Sequence, residues 1–182
     1  MIVKVCGITR REDAEVAVEA GSSAIGFIFY KPSPRYVTPE KAAELGDSLK
    51  VWKVGVFVDE TLVSIEATMR AAKLDVAQIY GGAACAGRFW KAVRVAGEIP
   101  NAGDAEALFL DSSANGVSFD WRIARGAADK VMIAGGLDAS NVAEAIRIAQ
   151  PWGVDASSRL ESAPGIKDHQ KVRRFIEAAR EF

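Results

Sequence analysis

Cysteine and histidine are scarce in this chain of 182 residues, and that scarcity excludes two common ways of stabilising or equipping a protein. The chain has two cysteines, Cys6 and Cys85, and one histidine, His169. Two cysteines do not make the disulfide framework of a small secreted protein. Because no cysteine has close spacing to the histidine, we predict no zinc or other metal site.

The chain also lacks a charge excess and a long apolar run. Its formal net charge is −1 and its sequence pI is about 5.9, so no basic surface points to nucleic acid or to an anionic membrane. No stretch has the length of a membrane span, and no basic start followed by an apolar segment resembles a signal peptide. We therefore expect a cytoplasmic protein. A phosphorylated small molecule stays compatible as partner, since a few placed groups suffice to bind it.

What the chain does have is a regular alternation of apolar strand patterns with helix patterns. The strand predictions are Ile2–Cys6, Ala24–Tyr30, Trp52–Val58, Val76–Tyr80, Phe89–Val95, Ala107–Asp111, Lys130–Ala134 and Gly153–Ala156. Eight parallel strands alternating with helices close into a (β/α)8 barrel, and an open doubly wound sheet is the main alternative. We expect one domain over residues 1–182.

This predicted barrel is compact, because barrels of this kind usually need about 250 residues. Gly81–Gly87 is rich in glycine and alanine, and Gly97–Asp104 is mostly turn-forming. These two stretches predict short or missing helices after strands 4 and 5.

The first strand and its turn give a first candidate site. Ile2–Cys6 ends at Gly7, and the alternation of side chains places Lys4 and Cys6 on one face. Active sites of α/β barrels lie at the C-terminal ends of the strands, so Cys6 occupies a candidate catalytic position. A cysteine in an apolar strand is otherwise a small buried hydrophobe.

The helix that follows carries a start signal. Thr9 and Glu12 have the spacing of a capping box, which predicts a helix beginning near Arg10.

Two turns are typical of phosphate sites after strands 7 and 8. The first is Ala134-Gly135-Gly136-Leu137, whose glycines let backbone N–H groups approach an anion. The second is Asp155-Ala156-Ser157-Ser158, whose hydroxyl and N–H groups complete a cradle at a helix start. Each turn alone is compatible with simple chain reversal. Together, at adjacent strand ends, they favour a phosphate site.

An acid and a cation complete the candidate site. Asp111 ends an apolar strand and can donate a proton, although aspartate also caps turns. Cys6 and Asp111, on strands 1 and 6, are placed to face one pocket, as a proton-transfer isomerisation requires. The thiol then has to be partly ionised and the carboxyl protonated. Arg35, in a proline-stiffened loop, suits a substrate carboxylate, or is a solvated loop arginine.

Nearly the whole chain resembles the phosphoribosylanthranilate isomerase family of tryptophan biosynthesis. The matching stretches are Lys4–Thr9, Gly26–Phe29, Ser33–Val37, Val54–Asp59, Leu110–Ser112, Phe119–Trp121, Ala134–Leu137, Val154–Ser158 and Pro164–Asp168. No single stretch is decisive, but the ordered set is highly specific.

The resemblance implies a barrel that opens the ribose ring of N-(5-phosphoribosyl)anthranilate by an Amadori rearrangement, without cofactor or metal. It implies that Asp111 is the general acid, Cys6 the general base and Arg35 the contact of the anthranilate carboxylate. It assigns the phosphate to Gly135, Gly136, Ser157 and Ser158.

The chain departs from the family pattern in two motifs. The usual Gln-Leu-His-Gly is Gln78-Ile79-Tyr80-Gly81, and the usual Gly-Gly-Thr-Gly is Ser113-Ala114-Asn115-Gly116. Gln78 and Tyr80 share a face of strand 4 and line the pocket or fill the barrel. Two other functions stay open, namely a barrel that binds a phosphorylated metabolite without catalysis and an isomerase of another sugar phosphate. The sequence does not choose between a monomer and a homodimer.

Overall fold

The computed structural model describes residues 1–82, 87–96, 99–112 and 117–181. In this part of the chain, eight parallel strands form a closed barrel in sequential order. They are β1 (Ile2–Cys6), β2 (Ala24–Ile28), β3 (Trp52–Val58), β4 (Val76–Tyr80), β5 (Phe89–Val95), β6 (Ala107–Ser112), β7 (Val131–Ile133) and β8 (Gly153–Ala156). Because β1 pairs with both β2 and β8, the predicted barrel is confirmed and the open sheet is excluded.

The bounds of β1, β3, β4, β5 and β8 agree with the prediction. Strand β2 is shorter than predicted and ends at Ile28 instead of Tyr30. The carbonyl of Tyr30 accepts a hydrogen bond from the Ser33 N–H at 2.9 Å, so the chain already turns there. The two prolines of this loop, Pro32 and Pro34, favour that early turn.

Helices in the described residues cover the outside of the barrel. They are α1 (Arg11–Glu19), α2 (Pro39–Gly46), α3 (Leu62–Ala71), α4 (Val142–Ala149) and α5 (His169–Arg180). Short 3-10 turns span Trp121–Ala124 and Ser158–Leu160, and a hairpin of β9 (Glu161–Ala163) and β10 (Ile166–Lys167) follows β8. None of the helices in the described ranges is long and apolar enough to cross a membrane.

The predicted cap of α1 is wrong. Arg10 occupies the N-cap position, and no side chain caps the helix. The Thr9 hydroxyl instead donates to the carbonyl of Gly165, in the hairpin turn. The Thr9 hydroxyl, which the local spacing assigned to the helix start, therefore bonds a residue that is distant in sequence.

The connections after β4 and β5 lack helices in their described residues, as predicted. On this side Ile99, Ala102 and Ala105 pack against the core outside the sheet. The Lys91 ammonium donates to the carbonyl of Asn101 at 2.7 Å and ties the loop to β5. Cys85 and Ser113-Ala114-Asn115-Gly116 lie outside the described residues.

Large side chains fill the barrel interior. The rings of Trp90 and Phe109 are stacked with centroids 6.4 Å apart, and Trp152 meets Trp90 edge-on at 5.9 Å. The Lys4 ammonium lies 5.2 Å from the Phe109 ring centroid. Aromatic packing therefore closes the interior below a buried polar layer, and the open end lies at the C-terminal ends of the strands.

Candidate active site

A cavity of about 350 Å³ lies at the C-terminal ends of the strands. Every residue that the sequence predicted for the site lines it, namely Cys6, Arg35, Asp111, Gly135, Gly136, Asp155, Ser157 and Ser158. They come from β1, β6 and β8 and from the loops that follow β2, β7 and β8. Barrel closure thus brings residues from both ends of the chain to one place.

The thiol of Cys6 is buried at the end of β1. Gly26 on β2 leaves room for it, since a Cβ there would lie 2.7 Å from the sulfur. Burial raises the pKa of the thiol and Asp155 adds to the rise, whereas Lys4 and Lys167 act in the opposite direction. Burial thus favours the neutral thiol, while the Lys4 and Lys167 ammonium groups favour the thiolate.

A buried ammonium lies below the cavity. The Lys4 Nζ donates to Asp155 Oδ1 at 2.9 Å and to Gln78 Oε1 at 2.9 Å. Burial lowers the pKa of this amine, but Asp155 and Cys6 outweigh that effect and raise the pKa above its ordinary value. Lys4 therefore keeps its charge, and one oxygen of Asp155 is committed to it.

Asp111 reaches the cavity from β6, which is separated from β1 by β7 and β8. Its Oδ2 accepts a hydrogen bond from the Tyr80 hydroxyl at 2.8 Å. Burial raises the pKa of the carboxyl and Asp155 contributes to the rise, against the opposing effects of Tyr80, the Ser112 N–H and Arg94. The net rise favours the protonated form, which a proton donor needs.

Arg35 is not a solvated loop arginine. Its Nε and Nη2 atoms donate to the two carboxylate oxygens of Glu161, each at 2.7 Å. The Lys167 ammonium donates to the same carboxylate at 2.9 Å. Burial raises the pKa of Glu161, but Arg35 and Lys167 together hold it below its ordinary value. The Glu161 carboxylate thus lies between the cations of Arg35 and Lys167, and it holds the Arg35 guanidinium at the cavity.

Gly7 is needed for this placement of Arg35. Its φ is +75°, a conformation that favours glycine, and a Cβ would lie 2.7 Å from Arg35 Cδ.

The glycine turn after β7 has a left-handed backbone at both of its glycines. Gly135 and Gly136 have φ values of +86° and +64°. A Cβ on Gly135 would lie 2.7 Å from the backbone nitrogen of Ser112, so the turn packs against the end of β6. The Asn141 amide donates to the carbonyl of Gly136 at 2.8 Å and fixes the turn.

The second turn is tied to β1. The Ser157 hydroxyl donates to the carbonyl of Cys6 at 3.0 Å. The predicted helix start at this turn is a single 3-10 turn, Ser158–Leu160, so it supplies N–H groups without a substantial helix dipole.

Comparison with known proteins decides the family. The family model described as N-(5'phosphoribosyl)anthranilate (PRA) isomerase matches residues 3–178. The chain belongs to this family. A PRA isomerase from Solibacter usitatus is 48% identical over an alignment of 195 positions, gaps included, which covers 99% of this chain and 98% of that protein. One from Pelobacter propionicus is 45% identical over 98% of this chain and 95% of its own length.

Solved structures of PRA isomerases agree with this assignment. Monomers generated from the dimeric enzyme of Thermotoga maritima superpose with a TM-score of 0.90, at 33% identity and full coverage of both chains. A PRA isomerase in complex with reduced 1-(o-carboxyphenylamino)-1-deoxyribulose 5-phosphate gives a TM-score of 0.84 at 33% identity, also with full coverage of both chains. The predicted family, barrel fold and isomerase class are confirmed.

Sequence reasoning missed three charged residues of this PRA isomerase site, Glu161, Lys167 and Arg94. Glu161 and Lys167 lie on either side of a Pro-Gly turn. Opposite charges on the two sides of a tight turn could have indicated that these two residues form an ion pair. Arg94 lines the cavity because it alternates inward with Trp90. In the described ranges, no group of three or more His, Cys, Asp or Glu residues is placed to hold a metal ion.

Proposed function

We propose that Cys6 and Asp111 are the base and the acid with which this isomerase converts N-(5'-phosphoribosyl)anthranilate into 1-(o-carboxyphenylamino)-1-deoxyribulose 5-phosphate, a step of tryptophan biosynthesis. One observation carries the proposal: a thiol and a carboxyl line the same cavity from strands that are not neighbours. Their surroundings suit opposite roles, since the pKa of Asp111 is raised and a buried ammonium, Lys4, faces the thiol.

The acid acts first. Asp111 gives its proton to the furanose ring oxygen while the bond from that oxygen to C1 breaks. The lone pair of the anthranilate nitrogen forms the C1=N bond of a protonated Schiff base. Asp111 is left as a carboxylate.

The base acts second. Burial favours the neutral thiol of Cys6, but Lys4 and Lys167 favour its thiolate, and this thiolate removes the proton from C2. The C–H electrons form the C1=C2 bond, and the C=N electrons return to nitrogen. The resulting enolamine tautomerises to the ketose. Acid and base catalysis of this kind contributes about 10²- to 10⁴-fold for each group.

Phosphate binding is proposed for Gly135, Gly136, Ser157 and Ser158. Among the described residues, none accepts a hydrogen bond from the N–H groups of Gly135 or Gly136. Unpaired N–H groups in left-handed glycine conformations form a concave site for an anion.

Anthranilate binding is proposed for Arg35. A guanidinium has five N–H donors in a planar fork, and Glu161 takes the edge formed by Nε and Nη2. The other edge, formed by Nη1 and Nη2, suits a substrate carboxylate with two parallel hydrogen bonds. Asp155 is proposed as a further substrate-binding residue, since it lines the cavity and Lys4 holds its Oδ1 in place.

The test follows the anthranilate fluorescence of freshly generated substrate, with a no-enzyme run because the substrate is labile. Asp111→Asn and Cys6→Ser should each lower turnover at least about 100-fold, with circular dichroism unchanged. Wild-type turnover in both variants would overturn the assigned roles. Thermal stabilisation of the wild type by the reduced product analogue, without any turnover, would favour the non-catalytic barrel instead.

We further propose that residues 1–182 act as one domain in the cytoplasm, as a monomer or homodimer. Pairing of β1 with β8 supports the single domain, since it joins the two ends of the chain. The dimeric relative from Thermotoga maritima supports a homodimer. Light scattering of the purified protein distinguishes the two assembly states.

A further inference from the structure

Four hydrogen-bonded side chains cross the barrel interior from Lys4 to Asp111. The Lys4 Nζ donates to Gln78 Oε1 at 2.9 Å, and Gln78 Nε2 donates to the Tyr80 hydroxyl at 3.3 Å. The Tyr80 hydroxyl then donates to Asp111 Oδ2 at 2.8 Å. The chain of bonds connects β1, β4 and β6 and ends on the proposed acid.

The direction of each bond is fixed from the Lys4 end. An ammonium can only donate, so the amide oxygen of Gln78 faces Lys4 and its NH2 group faces Tyr80. The phenol oxygen accepts from that NH2 group, which leaves the phenol hydrogen for Asp111. The buried charge of Lys4, two hydrogen bonds away, therefore fixes the orientation of the Tyr80 hydroxyl.

We propose that Tyr80 is a positioning residue that holds Oδ2 of Asp111 and so directs the other carboxyl oxygen, with its proton, toward the substrate. The inference rests on the proposed role of Asp111 as the acid. Once the proton has left, the phenol donates to a carboxylate, and such charge-assisted bonds are stronger than neutral ones. Tyr80 thereby stabilises the charge that develops on Asp111 during the transfer.

Tyr80 is not itself the source of the proton. Burial and the adjacent Asp111 raise the pKa of the phenol well above its ordinary value. The phenol thus keeps its hydrogen throughout and acts through Asp111.

Other charges face the same pair of residues from three further strands. Arg94 on β5 and Asp155 on β8 face Asp111, and Asp155 and Cys6 on β1 face Tyr80. The Ser112 N–H also donates to Asp111. Tyr80→Phe leaves these groups in place and removes one donor to the carboxylate, so the pKa of Asp111 must rise.

Kinetics give the first readout. Because the hydroxyl bonds Asp111, we expect Tyr80→Phe to lower kcat by about ten- to a hundredfold, with KM changed by less than about threefold. Tyr36→Phe deletes a hydroxyl from a tyrosine that does not line the cavity, so it is the matched control. Its kcat should equal that of the wild type.

A titration gives the second readout without any substrate. In protein labelled with carboxyl-¹³C aspartate, the resonance missing from Asp111→Asn reports the pKa of Asp111. We expect this pKa to be higher in Tyr80→Phe than in the wild type and unchanged in Tyr36→Phe. Gln78→Leu, which frees the phenol to rotate, should give a smaller rise.

The kinetic and titration readouts distinguish the positioning role of Tyr80 from the role of Asp111 as the acid. An unchanged pKa of Asp111 in Tyr80→Phe and in Gln78→Leu overturns the role of Tyr80, whatever the kinetics show. An active wild type with an equally active Asp111→Asn variant overturns the proposed acid instead. A raised pKa together with a lowered kcat supports the inference.

Discussion

The two halves of the barrel wall are covered differently, although both contribute to one cavity. Helix α1 packs against both α2 and α5 outside the half that contains β1, β2 and β8. Outside β5, the described residues provide a loop with Ile99, Ala102 and Ala105 on the core. Cys6 belongs to the helix-covered half, whereas Asp111 belongs to the thinly covered half.

The difference shows that a site at the strand ends does not need a helix behind every strand. Strand alternation alone turns Trp90, Ala92 and Arg94 inward, because β5 is paired on both edges. The thin half is supported from inside, by aromatic stacking and by the chain of hydrogen bonds that runs from Lys4 through Gln78 and Tyr80 to Asp111. Substitutions of interior and of exterior side chains therefore compare the two kinds of support.

The largest effect is expected for Lys4→Met. The substitution leaves the carboxylate of Asp155 buried without its partner, and breaking a buried ion pair from one side costs about 3–5 kcal/mol. Urea denaturation followed by tryptophan fluorescence measures the loss. Lys4→Met combined with Asp155→Leu removes both charges and should recover most of it. A wild-type urea midpoint in the single variant would show that the buried pair between β1 and β8 does not stabilise the barrel from inside.

One substitution made on each side compares the two covers directly. Ile176→Ala on α5 removes a fully buried side chain, and the free energy of unfolding should fall by about 2–5 kcal/mol. Ile99 is half-buried in the loop after β5, so Ile99→Ala should cost only about 1 kcal/mol. Equal losses in chemical denaturation would mean that the loop covers the core as well as a helix does.

The smallest effects are expected for the carboxylates of two other sets of ion pairs, those of Glu161 and Glu106, and the effect at Glu161 depends on pH. Burial raises the pKa of Glu161, but Arg35 and Lys167 hold it below its ordinary value of 4.5. The carboxylate therefore stabilises the fold above pH 4.5, and the contribution disappears as the pH falls through the lower pKa of the folded state. Glu161→Gln should cost about 1–3 kcal/mol at neutral pH, and less in acid.

Glu106 is the matched control on the thin side, where it pairs with Arg88 and Lys130 in a more exposed setting. Glu106→Gln should cost about 0–1 kcal/mol. Unfolding curves at neutral and acidic pH compare the two variants. A pH-independent loss in Glu161→Gln would mean that its carboxylate is not the source of the stability.

What could be predicted from the sequence was local or periodic. The bounds of β4 and β5 follow from strand patterns between turn residues, and the turn after β7 follows from the adjacent glycines Gly135 and Gly136. Strand order then brings the predicted residues to one cavity, because all strands end on the same side.

Partners distant in sequence could not be predicted. Arg35 and Glu161 are 126 residues apart, and Thr9 and Gly165 are 156 apart. Both pairs form only after the barrel has closed and the hairpin has packed on the first turn. Local propensity carries no information on such encounters, which explains the wrong cap at Thr9 and the missed role of Glu161.

Pairing of β1 with β8, the first and the last strand of the barrel, also sets the order in which the fold can be completed. Lys4 meets Asp155 only after 151 further positions of the chain. Until Gly153–Ala156 emerges from the ribosome, β1 has one edge without a partner, and chains with such edges associate readily. Contacts of this sequence separation slow folding. The Lys4 ammonium, two residues from the Cys6 thiol, therefore meets its carboxylate partner Asp155 late in biosynthesis, when nearly every other strand is already in place.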